Sequence, residues 1–374
     1  MAGKGLAESA RVWANVYRRI RFFKKMYPLS AIVKDLFLFP VDYFMDGKDV
    51  HAVRNITFAI THVCNIRCEM CYFHLELGNK RSLPLESYSR VIDAAVSSRP
   101  CVILSGGEPF AHPDILKMVE YAKGKGLPVQ IFTNGTLVTP EKADRLVELG
   151  LDYIDFTLLG DETTHPLVAH APKSYEMLKK NLEYFARNRG ATKIILNYTI
   201  TPRSLQSIDH ALKLANELSL DGIRFQHYNF LLAGEMTAQE RAMQNLFGVE
   251  SGVNEIEGEE ELAGAAEFIR GFMRRLNAGA PRMPVQWAPT LTEAELDNWY
   301  SKDKYTTARK CLYPWRGILV DADARVYPCS KIYLELGSLD DKDLFDIWNS
   351  DRMKLFRGHL KNGGYPACSR CCKL

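Results

Sequence analysis

The sequence predicts an α/β protein: a partial (βα)6 barrel of TIM type, with an N-terminal amphipathic helical segment ahead of it and a small C-terminal cysteine-rich domain behind it. Three observations carry this. Six apolar runs alternate with helical segments through the middle of the chain, and eight of the nine cysteines fall in two groups. The 374 residues, 47% of them hydrophobic, suffice for one large domain with an appendage. The expected division is an N-terminal segment at 1 to 52, a barrel at 53 to 230, a helical connector at 231 to 304 and a cysteine-rich domain at 305 to 374.

In the first segment, ARVWANVYRRIRFFKKMYP, the residues Trp13, Val16, Tyr17, Ile20 and Phe23 recur at helical spacing among Arg11, Arg18, Arg19, Arg21, Lys24 and Lys25. Three readings fit: a helix packed across the barrel, a basic helix lying on an anionic membrane, or an Arg-rich transit peptide. The barrel strands are ITFAIT (56 to 61), CVILS (101 to 105), VQIFT (129 to 133), YIDFT (153 to 157), IILNYT (194 to 199) and GIRFQH (222 to 227). The helices between them fall at 86 to 98, 113 to 125, 140 to 149, 174 to 188 and 206 to 219. Strand–helix alternation with right-handed crossovers makes a parallel sheet that curls toward a barrel, with its chemistry at the C-terminal ends of the strands. Beyond the sixth strand the repeat stops. An acidic patch at Glu255, Glu257, Glu259, Glu260 and Glu261 precedes a helix at 259 to 277, and PRMPVQWAPTLTEAELDNW reads as a connector. The last part offers a hairpin around VDADARVYPC and one helix over LFDIWNSDRMKLFRGHL.

A net charge of +3 is too mild for a nucleic-acid partner. No run of about 18 uncharged apolar residues could cross a bilayer, and no secretory signal pattern opens the chain. The expectation is a cytoplasmic protein, with peripheral contact to the inner face of the membrane as the variant that the basic segment allows.

The chemistry concentrates in THVCNIRCEMCYF, where Cys64, Cys68 and Cys71 follow the first strand with CxxxCxxC spacing. Three thiolates are one short of a closed zinc site, and can instead hold three irons of a four-iron, four-sulfur cluster, leaving the fourth iron open. The second strand ends in Ser105-Gly106-Gly107-Glu108-Pro109, where the glycines would let a ligand approach the backbone and Glu108 offers an anionic acceptor for an amine. Motif, spacing and strand order over residues 55 to 228 together resemble the radical SAM superfamily.

That resemblance implies a cluster on Cys64, Cys68 and Cys71 that binds S-adenosylmethionine (SAM) through its open iron, with Gly106, Gly107 and Glu108 at the methionyl amine. It also implies that SAM contacts fall on Tyr72, Thr133, Asn134, Thr157 and Asn197, with Thr199 beside them; polar strand-end residues satisfying the backbone are the plain alternative. Relatives often read LDG after the fourth strand, whereas this chain reads Leu158-Leu159-Gly160-Asp161. The implied activity is reductive cleavage of SAM to a 5′-deoxyadenosyl radical that abstracts hydrogen from an unactivated C–H bond, fed by an electron donor such as flavodoxin or ferredoxin. An oxidoreductase or a C–C or C–X bond-forming enzyme would result.

The second cysteine group, Cys311, Cys329, Cys368, Cys371 and Cys372, resembles the SPASM or twitch extension of such enzymes. The resemblance implies one auxiliary 4Fe–4S cluster on Cys311, Cys329, Cys368 and Cys371, for electron transfer to or from substrate; a structural zinc fits four thiolates equally. Cys101 reads as a buried small hydrophobe.

Asp155 and His227 are the candidate catalytic residues. Strand period places Asp155 with Thr157, and Phe225 with His227 opposite Arg224 and Gln226. His227 has the pKa of a general base, with His74, His112 and His165 in weaker positions. The basic aromatic segment favours a membrane lipid or other hydrophobic metabolite as substrate. A peptide or a cofactor precursor is the alternative, although the stretch before the first strand is short for a leader-binding domain. A non-catalytic iron–sulfur electron carrier is the reading from another class, and GGEP argues against it.

Overall fold

The computed structural model describes residues 41–44, 49–71, 80–250, 264–279, 281–301, 305 and 309–373. The basic N-terminal helix, Tyr72, His74 and the acidic patch lie outside them. The barrel elements are β1 (Asn55–Thr61), α1 (Leu85–Ala95), β2 (Cys101–Gly106), α2 (Ile115–Gly124), β3 (Val129–Thr133), α3 (Pro140–Glu148) and β4 (Tyr153–Leu158). They continue with α4 (Thr164–Val168), α5 (Ser174–Asn188), β5 (Lys193–Thr199), α6 (Ile208–Glu217) and β6 (Gly222–Gln226).

The strands form where branched and aromatic side chains alternate on a pleat. The helices start at local signals such as Thr139, whose hydroxyl accepts from Lys142 N with Pro140 following in the first turn. One strand face packs outward on the helices: Phe58, Leu104, Ile131, Phe156, Leu196 and Phe225 belong to the main core. The other face looks inward, where Cys101, Tyr153 and Ile195 make a small apolar cluster.

Four strands extend this sheet beyond the six of the barrel. β7 (Val285–Ala288), inside the stretch read as connector, pairs in parallel with β6. β8 (Gly317–Val320), from the cysteine-rich domain, pairs in parallel with β1. The sheet therefore has ten strands in the order β10-β9-β8-β1-β2-β3-β4-β5-β6-β7, with β9 (Arg325–Tyr327) and β10 (Gly337–Ser338) antiparallel at one end.

Around β7 lie α7 (Ala233–Phe247), α8 (Ala265–Gly279) and α9 (Glu293–Trp299). The single helix expected over 344 to 360 is two, α10 (Leu344–Trp348) and α11 (Asp351–Lys361), because Ser350 adopts a non-helical conformation and its hydroxyl caps Met353 N. Among the described residues no helix is long and apolar enough to cross a membrane.

Candidate active site

The cysteine loop leaves β1 and is pinned from both sides. Arg67 N donates to Ala169 O and Glu69 N to Val168 O, while Ile66 packs with Leu159, Val168 and Ala169. Leu159 thus fills an apolar layer beneath the cysteines. The acid shifts to Asp161, which accepts from Thr163 N, Thr164 N and Ser207 Oγ. Against the burial that would raise it, those hydrogen bonds hold the Asp161 carboxyl well below the usual range. There it satisfies backbone N–H groups at the start of α4.

Cys64, Cys68 and Cys71 are half-buried and outside any disulfide. Burial pushes the Cys68 thiol up, and the neighbouring Cys71 and Cys64 push it further. Burial also raises Cys64, partly offset by the Ile66 backbone. The depressed acidity of the Cys64 and Cys68 thiols suits a site where bound iron, rather than solvent, stabilises the thiolates.

The SGGEP segment is clipped to the same loop. Gly107 N donates to Thr61 O at 2.7 Å and Glu108 N to Val63 O at 2.8 Å. A Cβ on Gly107 would sit 2.3 Å from Val63 O, and one on Gly106, whose φ is +124°, would sit 2.6 Å from Thr61 O. These glycines therefore admit the exit of β1 against β2, a use within the chain that the sequence reading assigned to a ligand.

Glu108 is fully buried and accepts from Phe110 N (3.1 Å) and Thr133 Oγ1 (2.7 Å) on one oxygen and from Asn134 N (2.8 Å) on the other. Burial raises its pKa, and these donors oppose the rise. A carboxylate has about four acceptor positions, so one stays open beside three that are taken.

Asn134 Nδ2 lies 4.0 Å from Cys64 Sγ and 3.0 Å from Asn65 Oδ1, and Asn65 Nδ2 donates to Thr136 Oγ1. Gly135, at φ +77°, makes the turn, and Asn181 Nδ2 holds it by donating to Gly135 O and Thr136 O. Asn65, Thr136 and Asn181 escaped the sequence reading. Asn65 sits inside the cysteine motif and Thr136 inside TNGT, which was the available signal; Asn181 gave none. Thr157 and Asn197 are register partners on β4 and β5, and Asn197 Oδ1 is buried with no hydrogen-bond partner among the described residues.

The two catalytic candidates part ways. Asp155 lies inside the barrel, fully buried, accepting from Gln130 Nε2 (2.6 Å) and Arg224 Nη1 (2.8 Å). Burial raises its pKa and Arg224 counters that rise. His227 is on the outer face, stacked on Trp287 and hydrogen-bonded through Nδ1 to Tyr300 Oη at 2.8 Å. Burial drives its pKa down to about 3. The imidazole lies among the rings of Trp287, Trp299 and Tyr300, on the face opposite Arg224, an environment that favours its neutral form. His165 is likewise neutral, its pKa lowered to about 4 by burial, with Nδ1 accepting from Leu159 N. His112 bridges Leu83 O and Asp114 N.

The second cysteine group is brought together by the β8–β9 hairpin and the C-terminal loop. Burial pushes Cys311 up to about 12, with the Cys371 and Cys329 thiols adding to it. Burial likewise raises Cys368, helped by Cys329 and Cys371. Cys372 differs: the adjoining Cys371 thiol, with Lys373 and Lys331, pulls it down. The loop is bolted to α7 by Arg370, which is fully buried. Arg370 donates to both Glu235 oxygens (3.1 and 2.9 Å), to Trp299 O and to Ser301 O. Among the described residues no group of three or more such side chains stands in ligand geometry, so the fit of these cysteines to an iron–sulfur site is one of donor chemistry alone.

Residues 58–215 match the Radical SAM superfamily, and residues 311–372 match SPASM, an iron-sulfur cluster-binding domain. The chain belongs to the radical SAM superfamily. It is a radical SAM enzyme with a SPASM domain, and its cofactors are a 4Fe–4S cluster, SAM and a further iron–sulfur cluster.

It is similar to the Fe-coproporphyrin III synthase of Methanosarcina barkeri, at 28% identity over 50% of this chain and 46% of that one. It is also similar to the AdoMet-dependent heme synthase of Nitratidesulfovibrio vulgaris, at 26% identity over 84% of each chain. Among solved structures it resembles Streptococcus suis SuiB bound to precursor peptide SuiA, with a TM-score of 0.59 and 16% identity, over 82% of this chain and 66% of that one. The match to the Fe-coproporphyrin III synthase spans about half of that protein's length, and the likeness to SuiB is one of fold.

Proposed function

We propose that this enzyme uses SAM to abstract a hydrogen atom from an unactivated C–H bond of a polar, carboxylate-bearing cofactor precursor, for which tetrapyrroles are the candidate class. When bound, the reduced cluster and SAM supply the 5′-deoxyadenosyl radical that performs the abstraction. The observation that carries the reading is the Glu108 knot: a buried carboxylate with one open acceptor position, tied through Asn134 to the loop of Cys64.

In this reading Cys64, Cys68 and Cys71 ligate the SAM-binding cluster, and Glu108 accepts the methionyl ammonium. Gly106 and Gly107 hold Glu108 against the cysteine loop. Thr133 and Asn134 keep the carboxylate aimed, while Tyr72, Thr157 and Asn197 line the nucleoside; the orphan Asn197 Oδ1 is an acceptor for a hydroxyl. Cys311, Cys329, Cys368 and Cys371 hold the auxiliary cluster, placed for electron exchange with the substrate. Asp155 orients other groups and moves no proton.

The inward strand faces carry Gln130, Asp155, Asn197 and Arg224, a lining that suits a polar substrate better than a lipid. Likeness to proteins named for heme and coproporphyrin synthesis supports the same direction. A peptide is the second reading. The electron donor is proposed to be a flavodoxin or ferredoxin, and the membrane-contact reading rests on the basic segment alone.

The test is anaerobic: reconstituted, reduced enzyme with SAM is given iron coproporphyrin III, a peptide extract or a lipid extract in turn, and 5′-deoxyadenosine is quantified. Stimulation by the porphyrin with its consumption supports the proposal; stimulation by lipid or peptide alone overturns it.

A further inference from the structure

We propose that Arg224, oriented by Asp155, binds a carboxylate of the substrate inside the barrel and thereby selects acid-bearing substrates. This deepens the substrate reading above and rests on it for what enters the barrel.

The argument begins with strand alternation. Phe225 packs outward on Phe272 of α8, at a ring-centroid distance of 5.2 Å, so Arg224 and Gln226 point inward. The Arg224 guanidinium crosses above β5 to reach Asp155 on β4, and its other flank lies 5.7 Å from the Phe132 ring centroid. Asp155 is completely buried and both of its oxygens are used, one by Arg224 and the other by Gln130. It can anchor a neighbour and has no oxygen to spare for a substrate.

Arg224 is the reverse case. A guanidinium has five N–H donors, and among the described residues only Nη1 has a hydrogen-bond partner. Its side chain keeps 15% of its exposure while Asp155 keeps none, so the remaining donors face the interior space. Planar, pre-oriented N–H pairs match a carboxylate in the bidentate way that a lysine cannot.

A second observation points into the same space. Asn197, the register partner of Arg224 on β5, is 6% exposed, and its Oδ1 has no partner among the described residues. In the reading above that acceptor serves the bound SAM, so the unused Arg224 donors on the adjacent strand face the space beside it, where a substrate carboxylate can meet them. Lys193, at the other end of β5, does not compete for the acid, because it is engaged with Asp221. The Arg224–Asp155 pair is formally neutral, so selection comes from hydrogen-bond geometry and not from net charge.

The experiment uses the reconstituted enzyme with SAM bound and follows the Soret band during titration with coproporphyrin III, which carries four propionates, and with its tetramethyl ester. The wild type is expected to bind the acid at least tenfold more tightly than the ester. Arg224→Met should abolish that preference, and Arg224→Lys, which keeps Asp155 paired, should reduce it several-fold. SAM affinity, measured separately, should stay within twofold in both variants.

Equal affinity for acid and ester in the wild type, binding of neither, or a preference that survives both substitutions would overturn the proposal. So would a parallel loss of SAM affinity, which would assign the guanidinium to SAM itself. Failure of the radical reading looks different: no 5′-deoxyadenosine would form while the Arg224-dependent acid preference remained.

Discussion

Replacing Gly107 with alanine tests how the two motifs of the site are joined. The new methyl carbon would lie 2.3 Å from Val63 O and 2.8 Å from Val63 C, both backbone atoms that cannot swing aside. Relief requires β1 and the SGGEP segment to separate, which lengthens the Gly107 N–Thr61 O and Glu108 N–Val63 O hydrogen bonds. Overpacking costs ~1–3 kcal/mol and each weakened hydrogen bond up to ~1 kcal/mol, so about 3 kcal/mol is expected. For a chain of this size that lowers the thermal midpoint by about 5 °C. The same displacement pulls Cys64 away from Asn134, so iron retained after reconstitution should fall. Gly358→Ala, in α11 with nothing within 4 Å of its added carbon, is the control and should gain ~0.5–1 kcal/mol. Circular dichroism melting and iron analysis read both. A Gly107→Ala protein with wild-type midpoint and iron content would refute the reasoning.

Three further outcomes follow from the geometry. Glu235→Gln leaves the buried Arg370 guanidinium without its counter-charge and should destabilise the fold by ~3–5 kcal/mol, with loss of auxiliary-cluster iron; urea titration and metal analysis check it. His227 and His165, with folded pKa values lowered to about 3 and 4 against ~6.5 unfolded, fold in their neutral forms. Their contribution is complete above that unfolded value and is lost as pH falls below it, about 2 kcal/mol each at pH 5, so urea midpoints should drop between pH 7 and 5 and His227→Phe should remove roughly half of that drop. Asp155→Asn should lower substrate affinity more than SAM affinity, because it loosens Arg224 and leaves Glu108 untouched, as paired titrations would show.

The barrel was legible because Ile56, Phe58, Leu104, Ile131, Phe156 and Leu196 repeat at strand period between strongly amphipathic helices. β7 was not, because VQWA is four residues long and flanked by prolines, a pattern that local signals read as connector. Nor could sequence show β8 joining β1, since strand pairing across more than 250 residues leaves no local trace. The CxxxCxxC spacing and the GGE segment stood out in the sequence, and the fold clips the two loops together through Gly107 N–Thr61 O and Glu108 N–Val63 O. What alternation could not say was which face of β6 points inward; it separated Arg224 from His227, and only the packing of Phe225 on Phe272 decides between them. The glycines of SGGEP were rightly singled out, while the nearest atoms that demand them belong to Thr61 and Val63.

The central claim is that Cys64, Cys68 and Cys71 hold a cluster that cleaves SAM. The direct measurement is 5′-deoxyadenosine formed by the anaerobically reconstituted, reduced enzyme, compared with a Cys64→Ala variant shown by spectroscopy to retain its auxiliary cluster. The account predicts product from the wild type and none above background from the variant. Equal product from both, or none from a wild type carrying its full iron complement, would contradict it.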